Sequence, residues 1–173
     1  MDTSVETDQL LDLAEQIGRV LKARGWLLAT AESCTGGGVA QAITEIAGSS
    51  EWFDCGFVTY SNASKTELLD ISEALIAQHG AVSEEIAAAM AESALTNSDA
   101  HVALSTTGIA GPGGAVPGKP VGTVCFGWTI GHQTHTERLV FHGDRRSIRE
   151  QTIIHSLQGL LRFLKLNSTD KNA

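Results

Sequence analysis

Two side chains able to attack a carbonyl, Ser33 and Cys34, stand side by side in Ala31-Glu32-Ser33-Cys34-Thr35-Gly36-Gly37-Gly38. The apolar run Trp26 to Ala31 before them reads as a buried strand, and Val39, Ala42, Ile43 and Ile46 after them recur at helical spacing. A strand that turns through glycines into a helix presents backbone N–H groups at its mouth. Those amides and the helix dipole favour a phosphate or a developing oxyanion, so Thr35, Gly36 and Gly37 are candidate ligand contacts. The segment is neither a Gly-x-Gly-x-x-Gly nor a Walker loop, and a plain turn with Ser33 as helix cap accounts for it equally. A serine nucleophile needs a base, whereas a helix N-terminus lowers a thiol's pKa. The sequence leaves the choice between these neighbours open.

A base is available in Tyr60-Ser61-Asn62-Ala63-Ser64-Lys65, which sets a phenol at a strand end and an amine in the first turn of the next helix. A desolvated lysine can take a proton from serine, and a tyrosine hydroxyl can pass one to a leaving group. The spacing is not Tyr-x-x-x-Lys, and no dinucleotide motif accompanies it, which disfavours a short-chain dehydrogenase. The plainer reading of Lys65 is a solvated helix residue. None of the six histidines sits in a partnering motif. His132-x-x-His135 at a hairpin tip lacks the three or four ligands zinc takes, so no metal and no cofactor are expected.

Two further segments suit a phosphate. Thr106-Thr107-Gly108 closes a strand and opens a glycine- and proline-rich loop to Gly118, a composition fit to cradle a ribose phosphate or simply to cover a surface. Gly143-Asp144-Arg145-Arg146 opens the last helix, where a guanidinium fork and free amides can hold a phosphate bidentately. Surface arginines paired with Asp144 and Glu150 are the alternative.

The elements that would position these groups follow from periodicity. Leu10, Leu13, Ala14, Ile17, Val20 and Leu21 predict a first helix stopped at Gly25. Trp52 to Tyr60 predicts a second strand, with Ser61-Asn62 capping the helix that carries Lys65. Helices are expected from Ser72 to Gly80 and from Ser83 to about Leu95, and a third strand over His101 to Thr107. Val121 to Ile130 and Thr134 to His142 flank Gly131-His132-Gln133 as a hairpin. A last helix starts at Asp144 and runs past Leu164. Strands alternating with helices, then a hairpin, predict a single three-layer α/β/α domain with a mixed sheet, its core over about residues 10–164 and a frayed polar tail over 167–173.

With 173 residues and 42% hydrophobic content the chain can bury one core without staples. Three widely spaced cysteines argue against a disulfide framework and for a reducing compartment. Neither an export signal nor an apolar stretch of the roughly 20 residues that span a bilayer is apparent, so a soluble, cytoplasmic protein is expected. A net charge of −8 repels nucleic acid, and the one tight basic cluster, Arg145-Arg146-x-x-Arg149, fits a small phosphate better than a polymer. A hairpin edge could pair into a homodimer.

Seven ordered blocks closely resemble the CinA C-terminal domain family with its stand-alone nicotinamide-nucleotide amidases. They are Thr30 to Gly37, Ile46-Ala47-Gly48-Ser49-Ser50, Gly56 to Asn62, His79 to Ser83, Gly108 to Pro112, Lys119 to Val124 and Gly143-Asp144-Arg145. The resemblance implies a metal-independent hydrolase converting nicotinamide mononucleotide to the acid and ammonia in pyridine-nucleotide salvage. By matched position it implies Ser33, Tyr60 and Lys65 as catalytic, and Ser50, Thr107 and Arg145 as substrate contacts. Longer members carry a further N-terminal domain whose activity is not expected here. The competing expectation is a catalytically silent nucleotide-binding module on the same fold.

Overall fold

The structure is a computed structural model that describes residues 3–167; the expected frayed tail lies, from residue 168 on, outside the described residues. In chain order the elements are α1 (Thr3–Arg24), β1 (Leu28–Glu32), α2 (Gly38–Thr44), a 3-10 turn (Ser49–Glu51), β2 (Phe53–Val58), α3 (Asn62–Leu69), α4 (Glu73–His79), α5 (Glu84–Thr96), β3 (Val102–Gly108), β4 (Thr123–Ile130), β5 (Gln133–Val140) and α6 (Arg145–Leu166). The five strands form one sheet in the order β2-β1-β3-β4-β5. β2, β1 and β3 run parallel, while β4 and β5 are antiparallel additions. The expected three-layer mixed α/β/α domain is what the chain builds.

Its caps are local chemistry. Ser61, Ser72, Ser83 and Asp144 each accept a backbone N–H of their helix's first turn, and Ser61 with Ser64 forms a reciprocal capping box. Gly131-His132 closes the β4–β5 hairpin in two residues, Gly131 at φ +57°.

Alternation along β1 sorts the two faces. Leu28 joins Leu13, Ile17, Ile43, Phe126, Leu157 and Leu160 in a core under α1, α2 and α6. Ala29 and Ala31 face the other way, with Leu69, Ile76, Ile86 and Met90 under α3, α4 and α5. All five β1 residues are buried, as a central strand covered on both faces requires. The chain leaves β1 toward β2 on one side and later returns to β3 on the other. The crevice between the carboxyl ends of β1 and β3 is therefore the switch point, where open α/β sheets place their ligands.

The seat of α6 depends on Gly159. A Cβ there would stand 2.1 Å from Trp128, whose indole N–H donates to the Ser156 carbonyl at 2.9 Å. Gly159→Ala should destabilise the protein by about 2–3 kcal/mol through overpacking, read as a lower denaturation midpoint. An unchanged midpoint would contradict this close approach.

Candidate active site

Ser33 is the first residue beyond β1, and its amide still bonds the Thr106 carbonyl of β3 at 2.9 Å. Continuing the alternation Ala29, Ala31, Ser33, its side chain falls on the α3–α5 face. There it meets Lys65. The register that sets Glu32 opposite Val58, together with the Thr59 amide on the Glu32 carbonyl at 2.8 Å, brings the end of β2 and the start of α3 alongside. Lys65 Nζ lies 3.1 Å from Ser33 Oγ and 2.8 Å from the Thr59 carbonyl oxygen.

The lysine is 1% exposed. Among the described residues it has no carboxylate partner, and burial lowers its pKa from the ordinary lysine range. An amine held off from water, within reach of a hydroxyl, is suited to accept that hydroxyl's proton.

The other face of β1 secures the turn. Glu32, fully buried, accepts from Thr35 Oγ1 at 2.7 Å, the Gly37 amide at 3.1 Å, the Val39 amide at 3.0 Å and the Ala40 amide at 2.8 Å. Thr35 Oγ1 also meets Thr106 Oγ1 at 2.8 Å. From α6, Arg149 donates to the Cys34 carbonyl at 3.1 Å and to the Thr35 carbonyl at 2.8 Å. Gly36 and Gly37 take φ of +61° and +93°, which favours glycine, and the Gly36 amide closes back on the Ser33 carbonyl at 3.1 Å.

These bonds revise what the turn offers a ligand. Of the three amides expected to face one, those of Gly36 and Gly37 are already spent on Ser33 and Glu32. Thr35, the third, is fully buried and outside the lining of the cleft, and its hydroxyl is absorbed into the Glu32–Thr106 network.

A cleft of about 220 Å³ opens over Ser33, lined by Cys34, Tyr60, Gly108, Ala110, Gly111 and Arg145 among others. At its mouth Arg145 donates to the Gly111 carbonyl and to the Tyr60 hydroxyl, both at 2.7 Å. Residues 33, 60, 65, 108 and 145 thus converge. Thr107 borders this region, but its hydroxyl donates to the Ala81 carbonyl at 2.7 Å, fastening the α4–α5 connection. Ser50 does not join them. It sits in the 3-10 turn before β2, and the Leu28 amide on the Trp52 carbonyl fixes that turn at the opposite end of β1. One five-residue strand, about 16 Å at 3.3 Å per residue, separates the two ends. A larger groove of about 570 Å³ runs behind the turn between α1, α2 and α6, without the serine–lysine pair.

Residues 10–164 match the CinA C-terminal domain. The chain belongs to that family. It is similar to a protein of Pseudomonas putida named nicotinamide-nucleotide amidohydrolase PncC, 48% identical over 90% of this chain and 98% of the relative. A PncC of the same name from Escherichia coli K12 is 51% identical over 88% and 93% of the two chains. Among solved structures, competence damage-inducible protein A from Klebsiella pneumoniae superposes with a TM-score of 0.88 at 37% identity, covering 90% of this chain and 97% of that one.

Within this CinA-family domain the geometry separates the two rival nucleophiles. The Cys34 thiol is buried, and burial outweighs its own backbone amide to push its pKa up to about 12, with Glu32 adding repulsion. A thiolate is strongly disfavoured there.

Sequence reasoning missed Glu32 as a site residue and read Arg149 only as part of a phosphate-binding cluster. Glu32 had a signal, since it continues the inward positions of Leu28 and Thr30 where only a fully hydrogen-bonded acid is tolerated. Arg149 had one in its place a helical turn beyond Arg145. Glu32→Gln turns an all-acceptor group into one with an N–H₂ facing donors. It should cost about 2–4 kcal/mol in chemical denaturation and reduce turnover. Wild-type stability in that variant would contradict the role given to the carboxylate.

Proposed function

We propose that this protein is a nicotinamide-nucleotide amidohydrolase, hydrolysing the carboxamide of nicotinamide mononucleotide to nicotinic acid mononucleotide and ammonia in pyridine-nucleotide salvage. The observation that carries the chemistry is the buried amine of Lys65 at 3.1 Å from Ser33 Oγ. The substrate is inferred from the PncC relatives at about half identity over most of both chains.

In this reading neutral Lys65 takes the hydroxyl proton as Ser33 Oγ attacks the amide carbon. The addition leaves an oxyanion on the former carbonyl oxygen. Collapse breaks the C–N bond, and the nitrogen leaves as ammonia after receiving a proton. Tyr60 suits the delivery, because its oxygen accepts from Arg145 and its own O–H stays free to donate. The lysine's proton passes on to the tyrosine oxygen, neutral Lys65 then deprotonates the water that cleaves the acyl-serine, and the released serine oxygen takes that proton back. A 220 Å³ cleft suits the ring and its carboxamide, and leaves the phosphate at the mouth beside Arg145. Binding energy at the phosphate would position the amide. A silent binding module has no use for a buried amine held within hydrogen-bond reach of a serine hydroxyl.

Ammonia release from nicotinamide mononucleotide tests the reading. Ser33→Ala should lose at least about a thousandfold in kcat with the fold intact, whereas Cys34→Ala should stay near wild type. Since only neutral Lys65 acts as base, kcat/KM should rise with pH along an acid limb whose midpoint lies below the ordinary lysine range. Near-normal turnover by Ser33→Ala would discard the assignment, as would a silent Ser33→Ala with a dead Cys34→Ala.

A further inference from the structure

Arg149 lies one helical turn beyond Arg145 on α6, yet its contacts are with the nucleophile turn rather than the mouth of the cleft. Its Nε reaches the Cys34 carbonyl at 3.1 Å and its second nitrogen the Thr35 carbonyl at 2.8 Å. Both acceptors belong to the peptides that follow Ser33. The only cis bond among the described residues is Gly111-Pro112, so both of these peptides are trans. A trans peptide points its N–H opposite its C=O. Holding the Cys34 carbonyl toward α6 therefore turns the Thr35 N–H to the other side of the turn. The Thr35 carbonyl is also held by the Gly38 amide at 3.1 Å, and its partner N–H, that of Gly36, closes on Ser33 at 3.1 Å. The Cys34–Thr35 peptide lacks such a backbone anchor, and the Arg149 guanidinium is what fixes its plane.

We propose that Arg149 is a positioning residue for catalysis: its guanidinium fork locks the peptide planes after Ser33 and so holds the serine hydroxyl in place against Lys65. It touches neither substrate nor reacting atoms. Its positive charge near that peptide adds to the attraction for a developing anion. A lysine keeps the charge but cannot span both carbonyls with a planar fork. The role rests on the amidohydrolase reading for its substrate, but not for its geometry.

The test compares Arg149→Ala, Arg149→Lys and Arg162→Ala. Arg162, on the same helix, lies 3.7 Å from the Glu137 carboxylate, away from the site. Two readouts run in parallel: hydrolysis of nicotinamide mononucleotide, and the rate at which a fluorophosphonate modifies Ser33, which needs the turn but no nucleotide. Arg149→Ala, which loosens the nucleophile turn, should lose about 30- to 300-fold in kcat with KM within about threefold, and Ser33 modification should slow in parallel. The groove of about 570 Å³ behind the turn is lined by Arg149 itself, so millimolar guanidinium ion should enter the space left by the side chain and restore part of the rate. Arg149→Lys should fold normally and remain impaired, and Arg162→Ala should match wild type with no response to guanidinium.

The proposal is overturned if Arg149→Lys, or a folded Arg149→Ala, modifies Ser33 within about twofold of the wild-type rate, or if the loss falls on KM alone. A wild-type protein that reacts with the fluorophosphonate but leaves nicotinamide mononucleotide intact would sink the substrate reading, and the modification rates would still decide the role of Arg149.

Discussion

An ammonium group buried without a counter-ion is an expensive thing to fold around, and the organisation of this domain follows from the Lys65 amine facing Ser33. Burial disfavours the charged form. Because the folded-state pKa lies below the unfolded one, the native protein binds fewer protons than the unfolded chain between the two values. The penalty on stability is therefore full below the folded pKa and fades as pH rises toward the ordinary lysine range. The Thr59 carbonyl and the Ser33 hydroxyl satisfy the amine without charge, which keeps it a base.

The strand between them makes this arrangement possible. β1 carries Glu32 inward on the α2 side and Ser33 outward on the α3 side, so adjacent residues serve opposite layers of the sandwich. On one face a carboxylate gathers a hydroxyl and three amides and fixes the start of α2. On the other an amine meets a nucleophile. The parallel register of β1 with β2 and β3 then brings the segments after all three strands to one edge, where α6 adds Arg145 and Arg149. The pair is held from two sides, by the β1–β3 ladder that ends at Ser33 and by the α3 helix that carries Lys65.

Much of this was legible in the residues. Apolar periodicity and the serine and aspartate caps located the helices, and a strand running into glycines located the turn with Ser33. What escaped was long-range or directional. The pairing of Tyr60 with Arg145 joins residues 85 apart in sequence, which no local pattern encodes. The Thr107 hydroxyl points to α5's side while that of Thr106 reaches Thr35, a distinction set by strand alternation once the register is known. Ser50 sits close to Ser33 in sequence, but a full helix and a return to the start of the neighbouring strand carry it to the far end of the sheet. The amides of Gly36 and Gly37 looked available because glycine permits close approach. Only the structure shows Glu32 and the Ser33 carbonyl already holding them.

The most direct measurement follows the Lys65 side chain itself, by NMR of protein carrying carbon-13 and nitrogen-15 in its lysines, with Lys65→Met to assign the signal. The Lys65 amine should lose its proton at a pH below the ordinary lysine range. A Lys65 signal that titrates within that range would contradict the central claim.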